Sequence, residues 1–264
     1  MAKRKDFFLR FPGGKSKVIT LSYDDGVEQD IRLIELIRDA GIKCTFNINA
    51  NCFSPEGTVH PKGKISRRMT ASQCLQVYTE DVCEVAVHGY NHTMLPNMDS
   101  ASVVCEIIDD RRALEALFDR QIRGMAYPFG RTNDTVIDVL RLCGIYYSRT
   151  VVSTEKFDIP STDRDWLKLP ATCHHNNPKL MELCDQFLNR NDRLPPQMFY
   201  LWGHTYEFEQ ATNMEVYLAW KDFHALEVSA DGTKIFNPTF RTVWISDVSR
   251  NIYEIKPGET ITLK

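Results

Sequence analysis

Apolar positions along this chain follow two spacings in turn. Val18 to Tyr23 is a nearly unbroken, β-branched run, as a strand buried on both faces requires. Ile31, Leu33, Ile34 and Ile37 then recur three and four apart and stop at Gly41, which predicts an amphipathic helix with a glycine C-cap. Lys43 to Ile48 reads as a second strand, and Glu84 to Val87 as a third that runs into His88. Between them, residues 51–70 form a loop and residues 70–81 a helix opened by Thr70 or Ser72. The clearest helix spans 99–120, capped by Asp99 or Ser100, with Val103, Val104, Ile107, Ile108, Leu114, Leu117 and Phe118 as its stripe. Strand-like runs recur at 122–127, 145–152 and 198–202, separated by a helix from Thr132 or Asn133 to Gly144 and another over 178–190.

Strand, helix, strand in that order makes parallel pairing the expectation. In a parallel α/β barrel, chemistry collects where strand C-termini meet the next loops. Four such ends carry unusual residues: Asp24-Asp25-Gly26, His88, Tyr127-Pro128-Phe129-Gly130 and Gly203-His204. Past residue 223 the pattern changes to short alternating segments around Ala230-Asp231-Gly232 and Lys256-Pro257-Gly258. The reading is therefore two parts, an α/β domain over 1–223 and a β extension over 224–264 packed on it. Trp244 and Tyr253 of the extension are candidates for stacking on sugar.

Composition narrows the classes. The chain has 264 residues, 43% of them hydrophobic, and a net charge of −3 without a basic block, so neither nucleic acid nor an anionic membrane is an expected partner. No apolar run is long enough to span a bilayer, and Phe7-Phe8-Leu9 is too short for a signal core. Eight cysteines lie mostly inside apolar segments, with no C-x-x-C pair to suggest a zinc–thiolate cluster. The expected address is cytoplasmic, an export signal removed from the chain being the alternative.

The candidate chemistry begins with His88-Gly89-Tyr90-Asn91-His92, two imidazoles four residues apart directly after a strand. Two histidines and one carboxylate form a recurrent catalytic zinc set that keeps a position for water. Asp24 or Asp25 can supply the carboxylate, and the other is then available to take a proton from the water.

Tyr23-Asp24-Asp25-Gly26, His88-x-x-x-His92, Tyr127-Pro128-Phe129-Gly130, Asp165-Trp166 and Leu201-Trp202-Gly203-His204 come in the order of the five motifs of the polysaccharide deacetylases, carbohydrate esterase family 4. The resemblance covers roughly residues 17–205. It implies an α/β fold, a distorted (β/α) barrel, and a metal-dependent hydrolase that removes N- or O-linked acetyl groups from a carbohydrate by attack of metal-bound water. The alternatives are another amide hydrolase on the same scaffold and a non-catalytic carbohydrate-binding protein. Carried over by position, Asp25, His88 and His92 are implied as ligands of one divalent ion, zinc first, with cobalt, nickel or manganese as substitutes. Asp24 is implied as the base, His204 as the acid, and Asp165 as the partner that orients His204. Phe129 is implied to offer its N–H to the oxyanion beside Tyr127, and Leu201 with Trp166 or Trp202 to line an acetyl pocket. The implied partner is an acetylated carbohydrate; the oligomeric state stays open.

Three places depart from the family pattern. Gly89 stands where a serine or threonine is usual, with Asn91 as the candidate replacement. Ala126 stands where the family has an arginine. The nearest arginine, Arg123, is three residues away and faces elsewhere on a regular strand, which leaves the metal as the main cation beside Asp24. The long stretch before the fourth motif makes Asp163 a rival to Asp165. His174-His175 has no assigned role beyond loop hydrogen bonding or lining the cleft, Tyr206-Glu207 is a candidate to hold a sugar hydroxyl, and His60 and His224 are read as surface or packing residues.

Overall fold

The computed structural model describes residues 9–61, 64–191, 195–209, 218, 221–247 and 252–263. The chain divides into two compact units, Met1–Glu209 and Gln210–Lys264.

In the first unit eight parallel strands follow the order β6-β5-β4-β3-β2-β1-β8-β7. They are β1 (Lys17–Asp24), β2 (Cys44–Ile48), β3 (Cys83–Val87), β4 (Gly124–Ala126), β5 (Tyr147–Ser153), β6 (Leu169–Ala171), β7 (Cys173–His174) and β8 (Gln197–Gly203). The sheet closes on itself because one extended segment, Leu169 to His174, pairs with β5 through β6 and with β8 through β7. Thr172, between the two short strands, donates its N–H to the Tyr200 carbonyl at 2.8 Å. This is the distorted (β/α) barrel that the motif order implies.

Helices α1 (Asp30–Ala40), α2 (Ala71–Val77), α3 (Ser100–Phe118), α4 (Asp134–Leu142), α5 (Asp163–Trp166) and α6 (Leu180–Asn189) connect the strands. Their starts follow local chemistry. Thr70 and Gln73 form a reciprocal capping box before α2, and the Asp99 and Asn133 side chains accept the Ser102 and Val136 N–H groups. Gly41, at φ 65°, ends α1 as predicted.

Period-two alternation divides each strand between two environments. Leu21, Tyr23, Phe46, Ile48, Val85 and Val87 face outward into one apolar layer shared with Leu33, Ile34 and Ile37 of α1 and with Val103, Ile107 and Leu114 of α3. The opposite positions are polar and bond to one another. Asn47 Nδ2 donates to Ser22 Oγ at 2.8 Å, and the Thr45 and Tyr147 hydroxyls both donate to Glu84 at 2.7 Å. Gly124 is required where Tyr147 crosses β4, since a Cβ there would lie 2.1 Å from the Tyr147 hydroxyl oxygen. The barrel interior thus carries a ladder of polar side chains, several of them bonded to one another, that leads up to the strand C-termini.

The second unit contains two antiparallel sheets. One orders Thr260–Thr262, Lys234–Phe236 and Glu227–Val228; the other pairs Val243–Ser246 with Ile252–Ile255. The expectation of a β extension on this part of the chain holds in that respect.

Candidate metal centre

Asp25, His88 and His92 each present one ligand atom, and these atoms lie within 4.8 Å of one another. Asp25 Oδ1 is 3.9 Å from His88 Nε2 and 3.9 Å from His92 Nε2. The local backbone is bent to achieve this. Asp25 (φ 88°), His92 (φ 54°) and Phe129 (φ 58°) all occupy the left-handed region that non-glycine residues avoid. Such strain persists only where surrounding bonds over-determine it. Asp25 donates its N–H to the Asn47 carbonyl, and Arg68 donates to Asp25 Oδ1 at 2.7 Å, to the Asp25 carbonyl and to Asn49 Oδ1.

These residues fit a divalent ion on a structural ground. His88 Nδ1 lies 2.8 Å from the Ala126 carbonyl, which can only accept, so the ring proton sits on Nδ1 and Nε2 offers its lone pair toward Asp25. Burial lowers the pKa of His88, and burial followed by its neighbour His88 lowers that of His92 to about 4, so both rings are neutral at neutral pH, the form a metal ligand requires.

Helix α3 braces the loop from below. Asp110 accepts the N–H groups of Ala50 at 2.6 Å and His88 at 3.0 Å; Glu106 accepts the Asn91 backbone N–H at 2.9 Å and its side-chain amide at 2.5 Å. Asn91 is thereby anchored, as the sequence suggested. Gly89 has a reason of its own: at φ 77°, a Cβ would meet Pro128 Cγ at 3.1 Å. A serine or threonine in this backbone would be strained and crowded at once.

Asp24 lies beside this set, 3% exposed, with Oδ2 4.0 Å from both His88 Nε2 and His204 Nε2. Its cation is Arg149 of β5, 1% exposed, whose Nη2 reaches Asp24 Oδ1 at 2.5 Å and also contacts Oδ2. Arg149 further donates from Nε to Ser22 Oγ at 3.1 Å and lies 4.6 Å over the Trp202 ring. Asn47 Nδ2 donates to Asp24 Oδ1 at 2.8 Å. Burial pushes the Asp24 carboxyl up, but Arg149, His88 and His204 together outweigh it and bring its pKa to about 2. The expectation that a metal is the main cation beside Asp24 is therefore corrected: an arginine absent from the fourth strand is present on the fifth. Ala126 and Arg149 are register partners, so the guanidinium enters the same interior space from the neighbouring strand. Arg123 packs instead on the Tyr146 ring at 5.9 Å.

His204 follows β8, stacked on Tyr206 at 5.0 Å. Its carboxylate neighbour is Glu207, with Oε1 3.4 Å from His204 Nδ1. Asp165 is a correction. It is half-buried on α5, where it accepts from Thr162 and lies 3.7 Å from Lys168 rather than beside His204. Its rival Asp163 starts the same surface helix. His174 and His175 also converge on Glu207, which draws them into the site from outside every motif.

Among the proposed pocket residues, Trp202 faces the interior, and Trp166 packs against the same cluster of Leu169, Met198 and Tyr200. Leu201 is a correction: strand alternation turns it outward with Phe199, against Leu183 and Phe187 of α6. Tyr127 is buried and donates its hydroxyl to the Leu167 carbonyl at 2.5 Å. Phe129 is 53% exposed, with its ring edge-on to His92 at 4.7 Å.

A sequence profile described as polysaccharide deacetylase matches residues 12–148. The chain belongs to this family. Among solved structures, a proposed polysaccharide deacetylase of Bacillus anthracis superposes with a TM-score of 0.51 at 16% identity, covering 63% of this chain and 50% of that one. A Streptococcus pyogenes deacetylase in complex with acetate gives 0.47 at 18% identity, covering 56% of this chain and 61% of the other. A family 4 carbohydrate esterase from Streptomyces lividans, also in complex with acetate, gives 0.45 at 18% identity, covering 72% and 80%. The chain thus spans less than two thirds of the first two. A search of curated proteins finds no match. No helix among the described residues is long and apolar enough to cross a membrane.

Proposed function

We propose that this protein hydrolyses acetyl groups from a carbohydrate, with one divalent ion held by Asp25, His88 and His92. The observation that carries the reading is the convergence of those three donor atoms beside a buried carboxylate, Asp24, and an imidazole, His204, across the same cleft. A two-histidine, one-carboxylate set favours zinc among the divalent ions, with cobalt, nickel and manganese compatible. When bound, such an ion supplies Lewis-acid charge that makes water nucleophilic near neutral pH and polarises an acyl carbonyl.

The protein's own groups supply the rest. Asp24 takes the proton of the attacking water on Oδ2. Arg149 and Asn47 hold Oδ1, so the carboxylate cannot rotate away. Because Arg149 keeps Asp24 ionised, the base is weak but always ready. His204, facing Asp24 through Nε2, gives a proton to the departing nitrogen or oxygen. The Phe129 N–H is the proposed donor to the carbonyl oxygen as charge develops on it. The exposed Phe129 ring and Tyr206, on the two sides of the centre, offer apolar faces to a sugar.

Elemental analysis of the wild type and of a His88→Ala, His92→Ala double variant tests the ion, and acetate release from N-acetylated and O-acetylated oligosaccharides tests the reaction. The expected result is one equivalent of metal, lost in the double variant, with acetate released from one of the two substrate classes. Undiminished metal in the double variant, or release from neither class by metal-loaded protein, would sink the proposal.

A further inference from the structure

Three histidines surround one carboxylate on the far side of the cleft. Glu207 Oε2 lies 3.2 Å from His174 Nε2 and 2.8 Å from His175 Nε2, while Oε1 lies 3.4 Å from His204 Nδ1; the approaches to His175 and His204 are off hydrogen-bond geometry. The backbone N–H of His204 also donates to Glu207 Oε2 at 3.4 Å. Two of the imidazoles are clamped. His175 has a side chain only 4% exposed, stacked between Tyr23 at 5.7 Å and Phe208 at 4.5 Å. It also lies flush on Gly203, where a Cβ would sit 1.9 Å from its Nδ1. His174 stands edge-on to Trp202 at 4.5 Å. His204 stacks on Tyr206 at 5.0 Å, stands edge-on to Trp202 at 5.9 Å and lies 4.0 Å from Asp24 through its other nitrogen.

A second metal ion is the obvious occupant for His174, His204 and Glu207, whose ligand atoms also lie within 4.8 Å of one another. The hydrogen bonding at His174 opposes it. The Asn176 backbone N–H donates to His174 Nδ1 at 3.2 Å. A ring that accepts at Nδ1 carries its proton on Nε2, the atom that faces Glu207, and a protonated nitrogen has no lone pair for a metal. Charge agrees. Arg68 and Arg149 already pair with Asp25 and Asp24, so a second divalent ion would have Glu207 alone to balance it.

We infer that Glu207 is the positioning residue for His204, and that His174 and His175 are the rigid supports that aim the Glu207 carboxylate. A carboxylate beside Nδ1 favours the Nδ1–H form of His204, which leaves Nε2 facing Asp24. This rests on the reading of His204 as proton donor. It assigns to Glu207, three residues downstream, the orienting task that motif order gave to Asp165. It also explains His174-His175, which no motif accounts for. The step is a proton transfer only: His204 acts with a proton on each nitrogen, Nε2 gives its proton to the leaving atom, and the cationic ring becomes neutral with its remaining proton on Nδ1, toward Glu207.

The test reads the proton directly. Two-bond ¹H–¹⁵N spectra of the histidine rings in zinc-loaded protein, at a pH where His204 is neutral, locate the proton, with a His204→Asn variant assigning the signals. The wild type is expected to hold it on Nδ1. Glu207→Gln should lose that preference and lower kcat for acetate release by about 10- to 100-fold, the scale of removing an orienting partner, with KM and zinc content unchanged. Glu207→Asp, which keeps the charge, should recover part of the loss. A wild-type proton on Nε2, an undiminished kcat in Glu207→Gln, or a second zinc equivalent that disappears in that variant would each overturn the inference. If no acetylated substrate reacts at all, the functional reading fails, but the ring spectra still decide the role of Glu207.

Discussion

Asp24 and Arg149 are both almost fully buried, and each is affordable only because of the other. Removing the arginine strands a carboxylate, which costs about 3–5 kcal/mol in comparable buried pairs. Arg149→Met should therefore lower stability by that order, while Asp24→Asn combined with Arg149→Met should recover much of it. Chemical denaturation of the four proteins gives the coupling directly. Asp24→Asn alone should keep its metal and lose turnover by about 10²-fold or more, the size of a general-base contribution. If the metal leaves instead, Asp24 and Asp25 have exchanged roles. Arg123→Ala is the control. Its guanidinium rests on Tyr146, so turnover per folded, metal-loaded molecule should stay unchanged while stability falls slightly. A large loss of turnover there would mean that Arg123 serves the base after all.

At the scale of elements, the centre depends on how the loop after β3 sits on α3. Two carboxylates one turn apart on the buried face of that helix, Glu106 and Asp110, hold backbone N–H groups of Ala50, His88 and Asn91. Gly89 fits between Pro128 and Glu106. Gly89→Ser should force the loop off Pro128, move His88 relative to His92, and weaken zinc affinity by about 10- to 100-fold. A competitive zinc titration would reveal it; unaltered affinity would show that the loop tolerates the shift. The helix was legible from its apolar stripe and Asp99 cap, but the carboxylates were not. Charged residues among core positions of an amphipathic helix are the available signal, and here they mark a helix that serves a site as well as a core.

At the scale of the molecule, Asp30 ties three elements together. At the start of α1 it accepts the hydroxyls of Tyr78, after α2, and of Thr205, after β8, each at 2.5 Å. Burial pushes its pKa up to about 7, against the lowering effect of those hydrogen bonds. The unfolded chain releases this proton near the ordinary carboxyl value of about 4. Between those values the folded state holds more protons than the unfolded one, so this contribution to stability is full below about 4 and is lost as pH rises through 7. Asp30→Asn should flatten the fall in melting temperature of metal-stripped protein across that window. Asp110, also raised to about 7 by burial, should leave a residual slope. An Asp30→Asn profile parallel to wild type would rule out the assignment.

What the sequence determined by itself is what depends on local or periodic chemistry. Strands, helices and caps follow from spacing and from residues such as Thr70, Asp99, Asn133 and Gly41. The barrel follows from strand–helix alternation, and the cluster of Asp24, Asp25, His88 and His92 follows from two short segments that each end a strand. Tertiary structure decided every relation that crosses the barrel. Arg149 reaches Asp24 from 125 residues away. Nothing near either residue in the sequence announces the pair, although a lone arginine within an otherwise uncharged strand was a readable sign. Glu207 stands beside His204 while the Asp165 carboxylate pairs with Thr162 and Lys168, and Leu201 turned outward because alternation fixed Trp202 inside. The physical reason is common to all three. A buried charge must be neutralised by whatever group the closed sheet brings within reach, and closure of the sheet is a property of the whole set of strands, not of any one of them.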